Sequence, residues 1–171
     1  MADRTREATR IDTVTGMSLE RARRHLARYG LAEAIIETSA SSATVELAAR
    51  AVGTEPARIA KTLSFLLPGD LPILIVVAGD ARLDNRKYKD EFATKARMIP
   101  GERVEQLVGH AVGGVCPFGV TPGVAVYLDE SLRRFDVVFP ACGNSNSAVR
   151  LTLAELERAA DPVSWVDVST V

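Results

Sequence analysis

Four glycines and a proline fall within the eleven residues Gly109-His110-Ala111-Val112-Gly113-Gly114-Val115-Cys116-Pro117-Phe118-Gly119. Glycine admits positive φ and lets a ligand approach bare backbone. Pro117 fixes its own φ and withdraws one donor, so the N–H groups around it take set directions. Such a loop suits a polarised or negative oxygen held by main-chain amides. A tight turn with a bulge is the other reading of the same residues. A second feature bears on the choice. Lys61 stands in Ile59-Ala60-Lys61-Thr62-Leu63-Ser64-Phe65, where an apolar strand begins. A lysine in an apolar strand is costly to bury unless it is paired or used. Partial burial lowers its pKa, which suits proton transfer or the binding of an anionic group. The plainer alternative is an edge lysine whose stem lies on apolar surface and whose head reaches water.

A polar turn, Gly143-Asn144-Ser145-Asn146, is a third segment that can converge with these two. Other chemistries find little support. No GxSxG elbow, phosphate-binding P-loop or dinucleotide fingerprint is present. Cys116 is a possible nucleophile, but no histidine–acid partner can be assigned to it, and a free cysteine often serves as a small buried hydrophobe. Cys142 is a weaker candidate still. The histidines are His25 and His110, and no metal-ligand spacing occurs, so neither a metal nor a tightly bound cofactor is expected. His110 reads as an acid, a base or a loop anchor, the last being simplest.

The elements that must carry these residues are short. Ser18 can cap a helix to about Tyr29, with Leu19, Ala22, Leu26 and Tyr29 at helical spacing and Gly30 as its stop. Ala34–Thr38 reads as a strand. Thr44 opens a helix that Gly53 ends, and a turn from Pro56 delivers the chain to Lys61. Leu63–Leu67 and Ile73–Ala78 are apolar strands joined by Pro68-Gly69-Asp70-Leu71-Pro72. Asp84–Phe92 should be a charged helix, Ala96–Ile99 a strand and Glu102–Val108 a helix leading into the glycine loop. Val124–Leu128, Phe135–Phe139, Ala148–Leu151 and Trp165–Val168 read as strands. Thr152 caps a helix over Leu153–Ala160. Short strands interleaved with short helices indicate a mixed α+β fold. Residues 1–16 read as a flexible tail and 17–171 as one domain.

The chain of 171 residues is 47% apolar and 25% charged with net charge −1, so nothing global draws it to nucleic acid or membrane. No run of signal-peptide or membrane length is visible, and two cysteines without CxxC spacing suit reduced thiols, so a cytoplasmic location is expected. Charge is nevertheless uneven. Arg82–Arg97 carries six basic residues against three acids. That segment is either a solvated helix face or a phosphate-binding one.

Lys61, the loop from Gly109 to Gly119 and the late stretch Gly143-Asn144-Ser145-Asn146-Ser147-Ala148-Val149-Arg150-Leu151 follow one another in a familiar order. Over about Met17–Val168 the chain resembles the YbaK/prolyl-tRNA-synthetase-associated family of free-standing editing domains. The resemblance implies a strongly curved, largely antiparallel mixed sheet flanked by short helices. It also implies hydrolysis, in trans, of a small amino acid (Cys, Ala, Ser or Thr) from a noncognate tRNA. A synthetase pocket separates substrates one methylene apart by only about 10- to 200-fold, and a second hydrolytic site supplies the rest. On this resemblance Lys61 holds the substrate end, and the backbone of Gly113 and Gly114 receives the ester carbonyl or its oxyanion. Pro117 and Phe118 shape the wall. His110, Gly143, Ser145 and Asn146 complete the substrate contacts, with Ser145 or Asn146 on ribose or amino acid. Water or a substrate hydroxyl or thiol attacks. Arg82, Arg86, Lys87 and Lys89 meet the acceptor stem. The implied partners are the aminoacyl-tRNA acceptor end and an aminoacyl-tRNA synthetase, with no membrane and no DNA. Some relatives carry an acid near the position of Ala148, which this chain lacks. A binding module that holds an aminoacyl or nucleotide group in the same pocket without hydrolysis is the alternative.

Overall fold

The computed structural model describes residues 18–171. The tail expected at 1–16 lies outside the described residues. Helix α1 (18–27) buries Leu19, Ala22 and Leu26 and stops at Gly30, whose φ of 71° is left-handed. Ser18, expected as its cap, is itself helical. Strand β1 (Ile35–Glu37) follows, then α2 (Val45–Val52), β2 (Ile59–Leu67), β3 (Leu71–Ala78), β4 (Arg82–Leu83), α3 (Asn85–Phe92) and α4 (Gly101–Val108). The chain closes through β5 (Ala125–Asp129), β6 (Val137–Pro140), β7 (Ser147–Val149), β8 (Leu151–Thr152), α5 (Leu153–Ala160), β9 (Ser164–Val166) and β10 (Ser169–Thr170).

Local chemistry sets the helix boundaries. Thr44 accepts from the Leu47 N–H and Gly53 closes α2 at φ 74°. Asp84 caps α3 through the N–H groups of Arg86 and Lys87. Thr152 and Glu155 form a reciprocal capping box on α5.

Six strands form a curled mixed sheet in the order β8-β6-β2-β3-β5-β9. The β2–β3 hairpin supplies its long antiparallel ladder, from Ala60·Ala78 to Leu67·Leu71. The β2–β6, β3–β5 and β5–β9 neighbours are parallel. Two small antiparallel pairs, β1–β7 and β4–β10, stand apart from it. Strand β3 is buried on both faces from Ile73 to Ala78, as a central strand must be.

The segment expected as a strand at Ala96–Ile99 makes only a bridge, Met98 to Phe65, with the Leu66 N–H donating to Arg97 O and the Ile99 N–H to Ser64 O. This detail shapes the site. On the side of β2 away from β3, β6 pairs with Ile59 and Ala60, and the Met98 segment takes over only at Ser64. Lys61–Leu63 lie between the two partners. Strand periodicity puts the N–H and C=O of Thr62 on the same side as those of Ser64 and Leu66, directed into that gap.

Candidate active site

A cavity of about 440 Å³ opens at this gap. That is within the roughly 300–1,000 Å³ of small-ligand clefts. Its walls come from β2 around Lys61, from the start of α2 (Thr44, Val45), from α4 (Gly101, Val104) and from the glycine loop (Val112, Gly113, Val115). Phe139, Ala141, Ser147 and Ala148 close it. The lining is mostly apolar, so a charge placed there acts in a medium that screens it poorly.

Lys61 supplies that charge. It is half-buried, and its ammonium donates to Gly79 O at 3.4 Å. Burial pushes its pKa below the ordinary 10.5, helped by Arg82 and opposed by Asp80 and Glu46. Asp80 is itself gripped by Arg134 through two hydrogen bonds of 2.6 and 3.1 Å, and this grip holds its carboxyl below the usual carboxylate range. Nothing in the sequence pattern singled out Asp80 and Arg134, which lie 54 positions apart.

The loop divides its residues between cavity and core. Gly113, at φ 93°, is exposed on the cavity wall. Among the described residues its N–H has no backbone partner. Gly114 is different. Its N–H donates to Ala111 O at 3.0 Å, closing a turn, and its carbonyl accepts from the Gly143 N–H at 3.0 Å. A Cβ on Gly114 would strike the backbone of Gly143 and Asn144. The expectation that Gly114 offers an amide to substrate is therefore corrected: it brings the loop into contact with the late turn.

His110, Pro117 and Phe118 are buried and are absent from the cavity lining, so Pro117 and Phe118 do not form its wall, and His110 does not line it as the expected substrate contact would. His110 Nε2 lies 2.6 Å from Phe118 O. A carbonyl only accepts, so Nε2 carries the proton, and burial pushes the imidazole pKa down to about 4. The ring is neutral and pins the two ends of the loop. Cys116 Sγ lies 3.5 Å from the same nitrogen, yet its thiol is fully buried and burial pushes its pKa far up. Cys142 is likewise buried and is pushed up to about 12. Both are packing thiols, and the nucleophile reading of Cys116 fails on access and on charge.

The late turn is also redirected. Ser145 O accepts from Ser42 Oγ at 2.6 Å and Asn146 O from the Thr38 N–H at 2.8 Å. These bonds stitch the turn to the segment before α2, so Ser147 and Ala148, rather than Ser145 and Asn146, reach the cavity. Gly143, at φ 93°, packs where a Cβ would meet Ser18 O of α1, so it too is structural.

The basic residues separate in the same way. Lys87 is bound to Asp167 and to Ser169 O, both at 2.9 Å, and ties α3 to β10. Arg82, Arg86 and Lys89 are exposed, and among the described residues none of them makes an ion pair. Among the described residues no helix is long and apolar enough to cross a membrane, and no three His, Cys, Asp or Glu side chains cluster as a metal would need.

The uncharacterized protein YwhH of Bacillus subtilis (strain 168) is 49% identical over 89% of this chain and 97% of its own length. EbsC of Enterococcus faecalis (strain ATCC 700802 / V583), a candidate Cys-tRNA(Pro)/Cys-tRNA(Cys) deacylase, is 27% identical over 63% of this chain and 66% of its own. The crystal structure of a candidate trans-editing enzyme for prolyl tRNA synthetase superposes with a TM-score of 0.80 at 32% identity, covering 90% of this chain and 98% of that one. Residues 39–159, which carry Lys61, the glycine loop and the late turn, match the model of the aminoacyl-tRNA editing domain, and the chain belongs to that family.

Proposed function

We propose that this protein is an aminoacyl-tRNA deacylase acting in trans, which removes a small amino acid from a noncognate tRNA. The observation that carries this reading is one cavity lined by both the half-buried Lys61 and the open backbone of Gly113. Ester hydrolysis needs both. Attack on the carbonyl carbon places negative charge on its oxygen, and a fixed N–H donor in a dry site is worth about 2.7–4 kcal/mol there. Gly113 is the donor in this scheme. Lys61 anchors the substrate through the terminal phosphate or an aminoacyl oxygen. Water, or a hydroxyl or thiol of the aminoacyl group itself, adds to the carbon. Collapse of the tetrahedral species breaks the acyl–oxygen bond, and the ribose oxygen leaves with the proton given up by the attacking group. No protein nucleophile is required, in keeping with the inert Cys116. The apolar walls near Val104, Val112 and Phe139 suit a small side chain.

Arg82 on β4 and Arg86 and Lys89 on α3, exposed and without an ion pair among the described residues, are the acceptor-stem contacts in this reading. A synthetase is a further partner, which would deliver the mischarged tRNA. A site that binds without hydrolysing is the competing account.

Incubation with tRNAs charged with Ala, Cys, Ser, Thr or Pro separates the two. Loss of one or two esters above the protein-free rate supports deacylation. Tight tRNA binding with every ester intact would establish the binding module instead.

A further inference from the structure

We propose that Arg134 positions the catalytic ammonium by holding Asp80 away from it. The proposal rests on the deacylase reading only for its consequence in turnover. The hydrogen bonds run outward from the cavity. Lys61 Nζ donates to Gly79 O at 3.4 Å, a long bond that leaves the ammonium other directions to serve. The corner carrying that carbonyl is fixed from three sides. The Ala78 N–H donates to Ser131 Oγ at 3.0 Å and the Gly79 N–H to Ala57 O at 3.3 Å. A side chain at Gly79 would run into Pro56 O and Val45, so the corner packs directly on the neighbouring 3₁₀ turn Pro56–Arg58.

Asp80 is the next residue, and it is the negative group with the largest influence on Lys61. Left alone, a carboxylate beside a half-buried ammonium closes into an ion pair and occupies it. Arg134, at the end of the 3₁₀ turn Glu130–Arg134, prevents this by taking both carboxylate oxygens. The guanidinium is in turn held by its Nε bond to Ser131 O at 2.9 Å and by the Phe135 ring, 4.8 Å from its centre. The same 3₁₀ turn therefore fixes the carbonyl that Lys61 uses and the carboxylate that Lys61 must not capture. The remaining charges facing the ammonium are Glu46 on α2 and Arg82 on β4. Both are exposed, so water weakens their effect. Arg134 touches no substrate in this account. It is a positioning residue, acting through Asp80.

The test reads the ammonium directly and needs no tRNA. The Lys61 side-chain amine is followed by NMR in 15N-labelled protein, assigned by its loss in Lys61→Arg, and titrated with pH. In Arg134→Ala the freed Asp80 pairs with Lys61, and the midpoint moves up by about one pH unit, a tenfold gain in proton affinity. In Arg134→Ala/Asp80→Asn it returns to the wild-type value or below. Arg134→Gln, which keeps the stem, gives the same rise should the alanine variant not fold. Deacylation, measured beside it, falls about tenfold in kcat/KM for Arg134→Ala and is restored in the double variant, the non-additivity expected of coupled neighbours. An unmoved midpoint in the single variants overturns the proposal, as does a rise that Asp80→Asn does not reverse. Absence of turnover in the wild type would count against the deacylase reading and leave the titration to decide this one.

Discussion

A methyl group at Gly114 tests whether the loop and the late turn are built as one unit. The backbone at Gly114 does not have positive φ, so alanine is conformationally allowed and the effect is steric. Its Cβ would fall well inside contact distance of Gly143 C and O and Asn144 N, all backbone atoms that no rotamer change can move. Forcing an extra carbon into a packed site costs about 1–3 kcal/mol. Pushing the two loop segments apart also weakens the Gly143 N–H bond to Gly114 O, a loss of about 0.5–1.5 kcal/mol. Alanine recovers about 0.4–1 kcal/mol by restricting the unfolded chain. The balance is a loss of about 2 kcal/mol, which lowers Tm by roughly 4–8 °C in a protein of this size. Displacing Gly113 by a fraction of an ångström should also cut kcat/KM at least ~10-fold, since reacting geometry is steep in distance. Gly101→Ala is the control, because its Cβ meets only Val112 Cγ2, at an ordinary 3.9 Å, on the same cavity rim. Calorimetry and initial-rate deacylation on both variants give the answer. Gly114→Ala with an unchanged Tm and full activity refutes the close-contact argument.

Three further outcomes follow from the same geometry. His110 is neutral in the fold, with its pKa depressed from 6.5 to about 4, so the folded state binds fewer protons than the unfolded chain in that interval. Its contribution is complete above pH 6.5 and is lost as pH falls to about 4, up to about 3 kcal/mol in all; His110→Gln, which can still donate to Phe118 O, should show a flatter stability curve there, and parallel curves would contradict the assignment. Cys116→Ala should keep its rate within about twofold while losing about 1 kcal/mol of stability to the small void, and an inactive, folded variant would revive the thiol mechanism. Arg86→Ala/Lys89→Ala should raise KM for aminoacyl-tRNA several-fold, leave kcat alone and reduce the salt dependence of binding by about one to two phosphate contacts; Lys87→Ala should instead lower Tm, and the reverse pattern would move the tRNA face elsewhere.

The helices were readable from the chain because their boundaries are chemical and local. Thr44 with Gly53, Asp84, and Thr152 with Glu155 each announce a terminus within a few residues. The hairpin was readable as the apolar runs Leu63–Leu67 and Ile73–Ala78, although the observed strands reach further, to Ile59 and Leu71. The pairing of distant strands was not. Met98 satisfies only part of the free side of β2, and the opening at Lys61–Leu63 exists because two partners stop short of each other. That is a property of register, which no single segment encodes. The site shows the same division. Lys61 and Gly113 stand out by residue type, and both face the cavity. His110, Phe118, Gly143 and Gly114 carry similar local signals, but hydrogen bonds and packing across the chain commit them to holding the loop. Asp80 and Arg134 gave no signal, because an ordinary surface acid and arginine gain meaning only from each other.

The role of Lys61 in deacylation is decided by the initial rate of ester loss from mischarged tRNA with wild-type protein and with Lys61→Met, both checked by thermal unfolding. Methionine keeps the apolar length of the side chain and removes a charge whose burial the fold disfavours. The wild type should hydrolyse the ester, Lys61→Met should show none above background, and the Tm of the variant should be unchanged or higher. Full hydrolysis by a folded Lys61→Met would contradict that role.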